Sequence, residues 1–137
     1  MSLLSSYFSN KTEPYFNTEG AFLSLSKGKN LLDNSPVFDL WVFENGEIIY
    51  NGLENVDKIG MYKTNILLDV IDDIKEFILS INPNDIGQVK GIDNPLTILK
   101  LNNKKIVYQP VRIKGNLLNL NNLLESMVEN IQKDINL

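Results

Sequence analysis

The chain has 137 residues, 43% hydrophobic and 22% charged, with a formal charge of −4 and neither cysteine nor histidine. That length supports one hydrophobic core of ordinary size. The two missing residue types exclude disulfides, thiolate nucleophiles, Cys-type zinc sites and iron–sulfur clusters, and likewise an imidazole base or a Ser-His-Asp triad.

Residues 1–19 mix polar and aromatic side chains around Pro14 without a sustained period, and read as an N-terminal arm. Tyr7, Phe8, Tyr15 and Phe16 predict that the arm docks on something. Residues 20–137 read as a single domain. The start lacks the basic stretch and apolar run of a signal sequence, and no segment approaches the ~20 apolar residues of a membrane span. The expectation is a cytoplasmic protein, or an exported one if a leader has been removed.

Residues 21–26 alternate with period two and predict a strand, broken at Lys27-Gly28-Lys29-Asn30. Residues 37–44 and 47–51 are strand-like on either side of Asn45-Gly46, a pair suited to the two positive-φ positions of a type I′ turn. That turn pairs Phe43 with Ile48 and Trp41 with Tyr50 on one face, and Val42 with Ile49 and Leu40 with Asn51 on the other. Both faces are apolar and one is aromatic, so the second face needs a cover: the arm, a second protomer or a ligand. Residues 52–62 return as another strand, with Gly60 a bulge or turn.

Residues 66–81 show helical period, with Leu67, Val70, Ile71, Ile74, Phe77, Ile78 and Ile81 on one stripe. Thr64 or Asn65 is suited to cap the start, and Asn82-Pro83 to stop the helix. A loop with Gly87 and Gly91 follows. Residues 96–101 and 104–113 form a second hairpin across Asn102-Asn103, pairing Ile98 with Val107 and Leu99 with Ile106. Pro110 should weaken or end that ladder. A last helix opens at Gly115-Asn116, with Leu117, Leu120, Leu124, Met127, Val128, Ile131 and Ile135 on its apolar face. The fold expected is α+β: an antiparallel sheet of two hairpins plus flanking strands, with two helices packed on one face.

Motifs with chemistry are sparse. Asp69, Asp72, Asp73 and Glu76 share one face of the first helix, a spacing that suits a hard cation but equally a solvated face opposite the apolar stripe. Gly87-x-x-x-Gly91 lacks the Lys-Ser or Lys-Thr of a phosphate loop. Charge is uneven. Residues 86–115 carry Lys90, Lys100, Lys104, Lys105, Arg112 and Lys114 against Asp93 alone, a local +5 that leaves −9 for the rest. Such a region is a lysine-decorated solvent face or a partner-steering patch. The overall acidic balance argues against nucleic acid as the partner.

From Ser35 onward the chain resembles a bacterial domain-of-unknown-function family, number sixty-four thirty-eight. The residues that carry the resemblance are Pro36-Val37-Phe38, Asn45-Gly46, Ile49-Tyr50-Asn51-Gly52, Asn55-Val56 and Gly60, with a similar order of elements after Asp93 and Pro95. The likeness spans residues 21–135. It implies no activity, and no catalytic residue is carried over. Many members look like exported proteins or lipoproteins with a cysteine pair just before the Pro-Val-aromatic element. Asn34-Ser35 stand there in this chain, which favours the cytoplasm.

The reading is a non-enzymatic binding domain, with no catalytic, cofactor or metal residues assigned. Its partner is another protein or a second copy of itself. The candidate contact residues are Trp41, Phe43, Tyr50, Lys100, Lys104, Lys105 and Arg112. Two alternatives stand beside it. One is a small acidic inhibitor or immunity-type protein that occludes a toxin or enzyme. The other is a hydrolase or metal-dependent enzyme working through carboxylates alone.

Overall fold

Alternation in the strands and a 3.6-residue period in two later segments have to bury their apolar sides against each other. A computed structural model, which describes residues 16–30, 32–91 and 94–133, shows how. The strands are β1 (Leu23–Lys27), β2 (Val37–Val42), β3 (Glu47–Glu54), β4 (Gly60–Asn65), β5 (Thr97–Leu101) and β6 (Lys104–Tyr108). They form one six-stranded sheet, fully antiparallel, in the order β4-β3-β2-β1-β5-β6. The helices are α1 (Leu68–Leu79) and α2 (Gly115–Gln132). The α+β architecture expected above is therefore the observed one.

Register assigns each strand residue to a face, because side chains alternate with period two. Leu23, Leu25, Leu40, Val42, Ile48, Tyr50, Leu99, Ile106 and Tyr108 share one face and are buried. The helices supply the other half of this core, through Ile71 and Ile74 of α1 and Leu117, Leu120, Leu124, Met127, Val128 and Ile131 of α2. Ile135, expected on the same stripe, lies outside the described residues.

The second hairpin has the predicted register, Ile98 opposite Val107 and Leu99 opposite Ile106. The first does not. Val42 pairs with Ile48, Trp41 with Ile49 and Leu40 with Tyr50, one residue away from the type I′ expectation. The loop has three residues, 44–46. The Phe43 N–H donates to the Glu47 carbonyl at 2.9 Å, the Gly46 N–H donates to the Phe43 carbonyl at 3.1 Å, and only Gly46, at φ +93°, enters the left-handed half of the map. This is a turn followed by a glycine bulge, the next most common hairpin closure after the two-residue one. The Asn45 side chain accepts the Glu47 N–H instead of taking a positive φ itself.

Three element boundaries also differ from expectation. β3 runs through Gly52 to Glu54, and residues 55–59 form a loop before β4 starts at Gly60. Thr64 and Asn65 belong to β4 and do not cap α1. The Ile66 N–H donates to the Gly46 carbonyl at 2.8 Å, which keeps the chain extended, and the helix starts after Leu67 without a side-chain cap. β6 stops at Tyr108, and Pro110 starts a 3₁₀ turn, Pro110–Arg112, so the proline ends the ladder as expected. Asp85 is buried and closes a reciprocal capping box with Asn82.

Candidate binding surface

Both helices lie on one face of the sheet, so the other face is the place to look for contacts. Across its middle runs one cross-strand row: Lys63 of β4, Ile49 of β3, Trp41 of β2, Ser24 of β1, Lys100 of β5 and Lys105 of β6. The strand order brings these residues together, since β1, first in the chain, is inserted between the two hairpins. At about 4.8 Å per strand, Trp41 and Lys105 are roughly 14–15 Å apart.

The two halves of this row differ. On the β3–β4 side Ile49 is 1% exposed, although α1 and α2 pack on the other face. The Phe16 ring lies there, with the Lys63 ammonium 5.6 Å from its centroid. Phe22 is hydrogen-bonded to β2 through its N–H, so residues 16–22 cross from the centre of the sheet towards the β4 edge. On the β1–β5–β6 side Lys100 and Lys105 are exposed and directly opposite each other. Among the described residues neither has a carboxylate partner. Like charges in that relation are destabilising unless an anion relieves them.

The seven residues singled out from the sequence therefore separate. Trp41, half-buried, joins Lys100 and Lys105 in the row. Phe43 is half-buried at the mouth of the first turn. Tyr50, expected beside Trp41, is fully buried on the helix side; the shifted register is the reason. Lys104 pairs with Leu101 and so stands on the opposite side of the sheet from Lys105, while Arg112 ends the exposed 3₁₀ turn outside it. Ser24 and Lys63 were not anticipated. Only knowledge of the strand order places them in the row.

Tyr50 has a structural task. Its hydroxyl donates to the Lys58 carbonyl at 2.9 Å and accepts from Gln132 Nε2, while Gln132 Oε1 accepts the Lys58 N–H at 2.8 Å. Burial pushes its phenol pKa up, partly countered by the Gln132 hydrogen bond. Lys58 in the same loop is held below its ordinary range by desolvation. A β-carbon on Gly52 would collide with the Lys58 carbonyl oxygen, and Asn55 takes φ 58° while donating to the Ser35 carbonyl at 3.2 Å. Tyr50, Gly52 and Asn55, all part of the resemblance, are thus accounted for by the building of the 55–59 loop.

Pro36, Phe38, Asn55 and Val56 also wall a groove of about 550 Å³ against the second half of α2. Glu125 lies in this groove and anchors a polar chain leading into the core. The Tyr108 hydroxyl donates to Asn121 Oδ1 at 2.7 Å, Asn121 Nδ2 donates to Glu125 at 3.0 Å, and Lys27 donates to the same carboxylate oxygen at 3.1 Å. Burial, and secondarily the Glu125 charge, pushes the Tyr108 phenol well above its usual range. The acids of α1, Asp69, Asp72, Asp73 and Glu76, are exposed to solvent. Among the described residues no helix is long and apolar enough to cross a membrane.

No curated protein matches this sequence. The family match covers residues 23–131, most of the chain and nearly all of the sheet and both helices just described, in agreement with the resemblance seen in the sequence. The chain belongs to the family DUF6438, a domain of unknown function.

Proposed function

We propose that this protein acts by binding and without catalysis, and that its contact surface is the β1–β5–β6 half of the helix-free face. One observation carries the reading: Lys100 and Lys105 are held opposite each other, exposed and without a carboxylate partner among the described residues. Two exposed lysines on neighbouring strands, in one row with a half-buried tryptophan, suit an acidic protein segment. Aromatic and cationic groups are the side chains that carry such interfaces. The unpaired charges steer the encounter and the aromatic ring contributes apolar area. A chain with no cysteine fits a partner in the reducing cytoplasm.

Three baits separate this surface from the acidic side of the molecule: the unaltered protein, the Lys100→Glu/Lys105→Glu variant, and an Asp72→Lys/Asp73→Lys variant of α1. Each is used on lysate from the native host, with recovered proteins identified by mass spectrometry. The expected result is a partner held by the unaltered protein and the α1 variant but lost with the lysine variant. A partner lost only with the α1 variant would move the contact to the acidic helix, as an occluding inhibitor requires.

A further inference from the structure

The lysine row borders a groove of about 570 Å³ on the same face. Leu53 at the end of β3, Val89 in the loop before β5 and Leu96 at the entry to β5 line it, and each keeps more than 40% of its surface exposed. Three large apolar side chains left in water around one depression form a surface that gains from being covered. Half-buried Ile98 also lines it. Among the described residues Asp39 supplies its one carboxylate and has no hydrogen bond or ion pair, while the two lysines that line it, Lys27 and Lys29, are each paired with a glutamate, Glu125 and Glu54.

The groove and the lysines are consecutive rungs of one ladder. Asp39, Ser26, Ile98 and Val107 form one cross-strand row, and Trp41, Ser24, Lys100 and Lys105 form the next on the same face. Two residues along a strand span roughly 6.6–6.8 Å, so Ile98 and Lys100 are spaced like positions i and i+2 of an extended peptide.

Resting on the reading of the lysine row as a contact surface, we infer that the groove receives one aliphatic side chain of an extended acidic segment of a partner protein. The carboxylate of that segment two positions from the aliphatic residue lies over Lys100 and Lys105. Charge sets the orientation. Asp39 repels an anionic side chain from the groove, and the lysine pair draws the acid to the neighbouring rung. The reversed placement puts a carboxylate beside Asp39 and an aliphatic group against two ammonium groups.

The test pans phage-displayed random dodecapeptides against the intact protein, then titrates enriched peptides while following the fluorescence of Trp41, the one tryptophan of the chain. Enriched peptides should carry Leu, Ile, Val or Met two positions from Asp or Glu. Replacing that aliphatic residue by Ser, or using the Leu53→Glu/Val89→Glu protein, should weaken binding at least about tenfold, in line with loss of one buried aliphatic side chain. Both altered positions are half-exposed, and circular dichroism checks that the fold persists. The Lys100→Glu/Lys105→Glu protein should lose binding altogether. Acidic peptides that need the lysines but ignore Leu53→Glu/Val89→Glu overturn the pocket and leave the lysine surface standing. Enrichment of basic peptides that depend on Asp39 overturns the pocket assignment, and absence of any enrichment overturns both readings. Concentration-dependent self-association abolished by Leu53→Glu gives the groove to a second copy of the chain and overturns the inference as well.

Discussion

Gln132, in the last turn of α2, donates its side-chain amide to the hydroxyl of Tyr50 in the middle of β3, 82 residues away. The same amide accepts the Lys58 N–H, so a single side chain ties helix, sheet and the 55–59 loop together. Replacing Gln132 by Leu strips the Lys58 N–H of its acceptor, while the Tyr50 hydroxyl keeps its bond to the Lys58 carbonyl. Leaving a buried polar group unpaired costs roughly 1–3 kcal/mol. We expect a loss of that order in urea unfolding, and a loss from Tyr50→Phe as well, because it takes the hydroxyl from both the Lys58 carbonyl and the Gln132 amide. Equal stability of Gln132→Leu and the unaltered protein would mean that water replaces the amide at no cost.

Gly46 is required twice over. Its φ of +93° lies where side chains rarely go, and a β-carbon there would sit 2.7 Å from the Ile66 carbonyl oxygen. Gly46→Ala should destabilise by roughly 1–3 kcal/mol, the usual cost of a strained backbone position. Asn45→Ala should cost less, since it removes only the Asn45–Glu47 contact at the surface. Denaturant midpoints of the two variants give the order directly.

Lys100 and Lys105, without a carboxylate partner among the described residues, make stability and binding move in opposite directions. Lys100→Glu converts a like-charge pair across β5 and β6 into an attractive one. It should raise stability by roughly 0.2–1 kcal/mol, with the gain shrinking as salt is added. The same change should abolish partner binding. A variant that is both less stable and less able to bind would show that Lys100 serves the fold.

Alkaline pH should unfold the protein through its buried phenols. Tyr50 and Tyr108 both have folded-state pKa values raised above the ordinary 10.0 by burial. Below pH 10 the phenols are protonated in both states and the stability is fully present. Above it the unfolded chain ionises first, and stability falls by about 1.4 kcal/mol per pH unit for each phenol that stays protonated only when folded. Lys58, lowered by desolvation, works the other way, adding stability as pH rises from its folded pKa to 10.5. Urea midpoints should therefore not fall from pH 9 to 10 but decline from pH 10 to 11, and decline less steeply in Tyr108→Phe. Parallel slopes would show that Tyr108 titrates in the folded protein as it does in the unfolded one.

Local pattern carried the order of elements and the second hairpin, because Ile98, Leu99, Ile106 and Val107 admit one sensible pairing across Asn102-Asn103. The first hairpin misled for a specific reason. Asn45-Gly46 suits a two-residue turn, yet the loop takes in Glu44 as well, while Asn102-Asn103 closes a two-residue turn with neither residue at positive φ. The better guide was the sorting of faces. The three-residue loop gathers Leu40, Val42, Ile48 and Tyr50 on one side, and Asp39, Trp41, Ile49 and Asn51 on the other. Individual members of the contact surface were visible as types, a tryptophan and a run of lysines. Their assembly was not, because it depends on β1 standing between β2 and β5, a long-range choice that no local window contains.

That placement of β1 has a consequence for how the chain is made. Residues 23–79, holding four strands and α1, leave the ribosome before β5 exists. Until then one edge of β1, the strand that carries Leu23 and Leu25, faces solvent with its backbone groups unpaired. Closing it joins residues 23 and 101, a non-local contact of the kind that slows folding. The nascent chain thus passes through a stage with an open apolar edge, and a host that makes the protein in quantity must either synthesise the second hairpin quickly or shield that edge meanwhile.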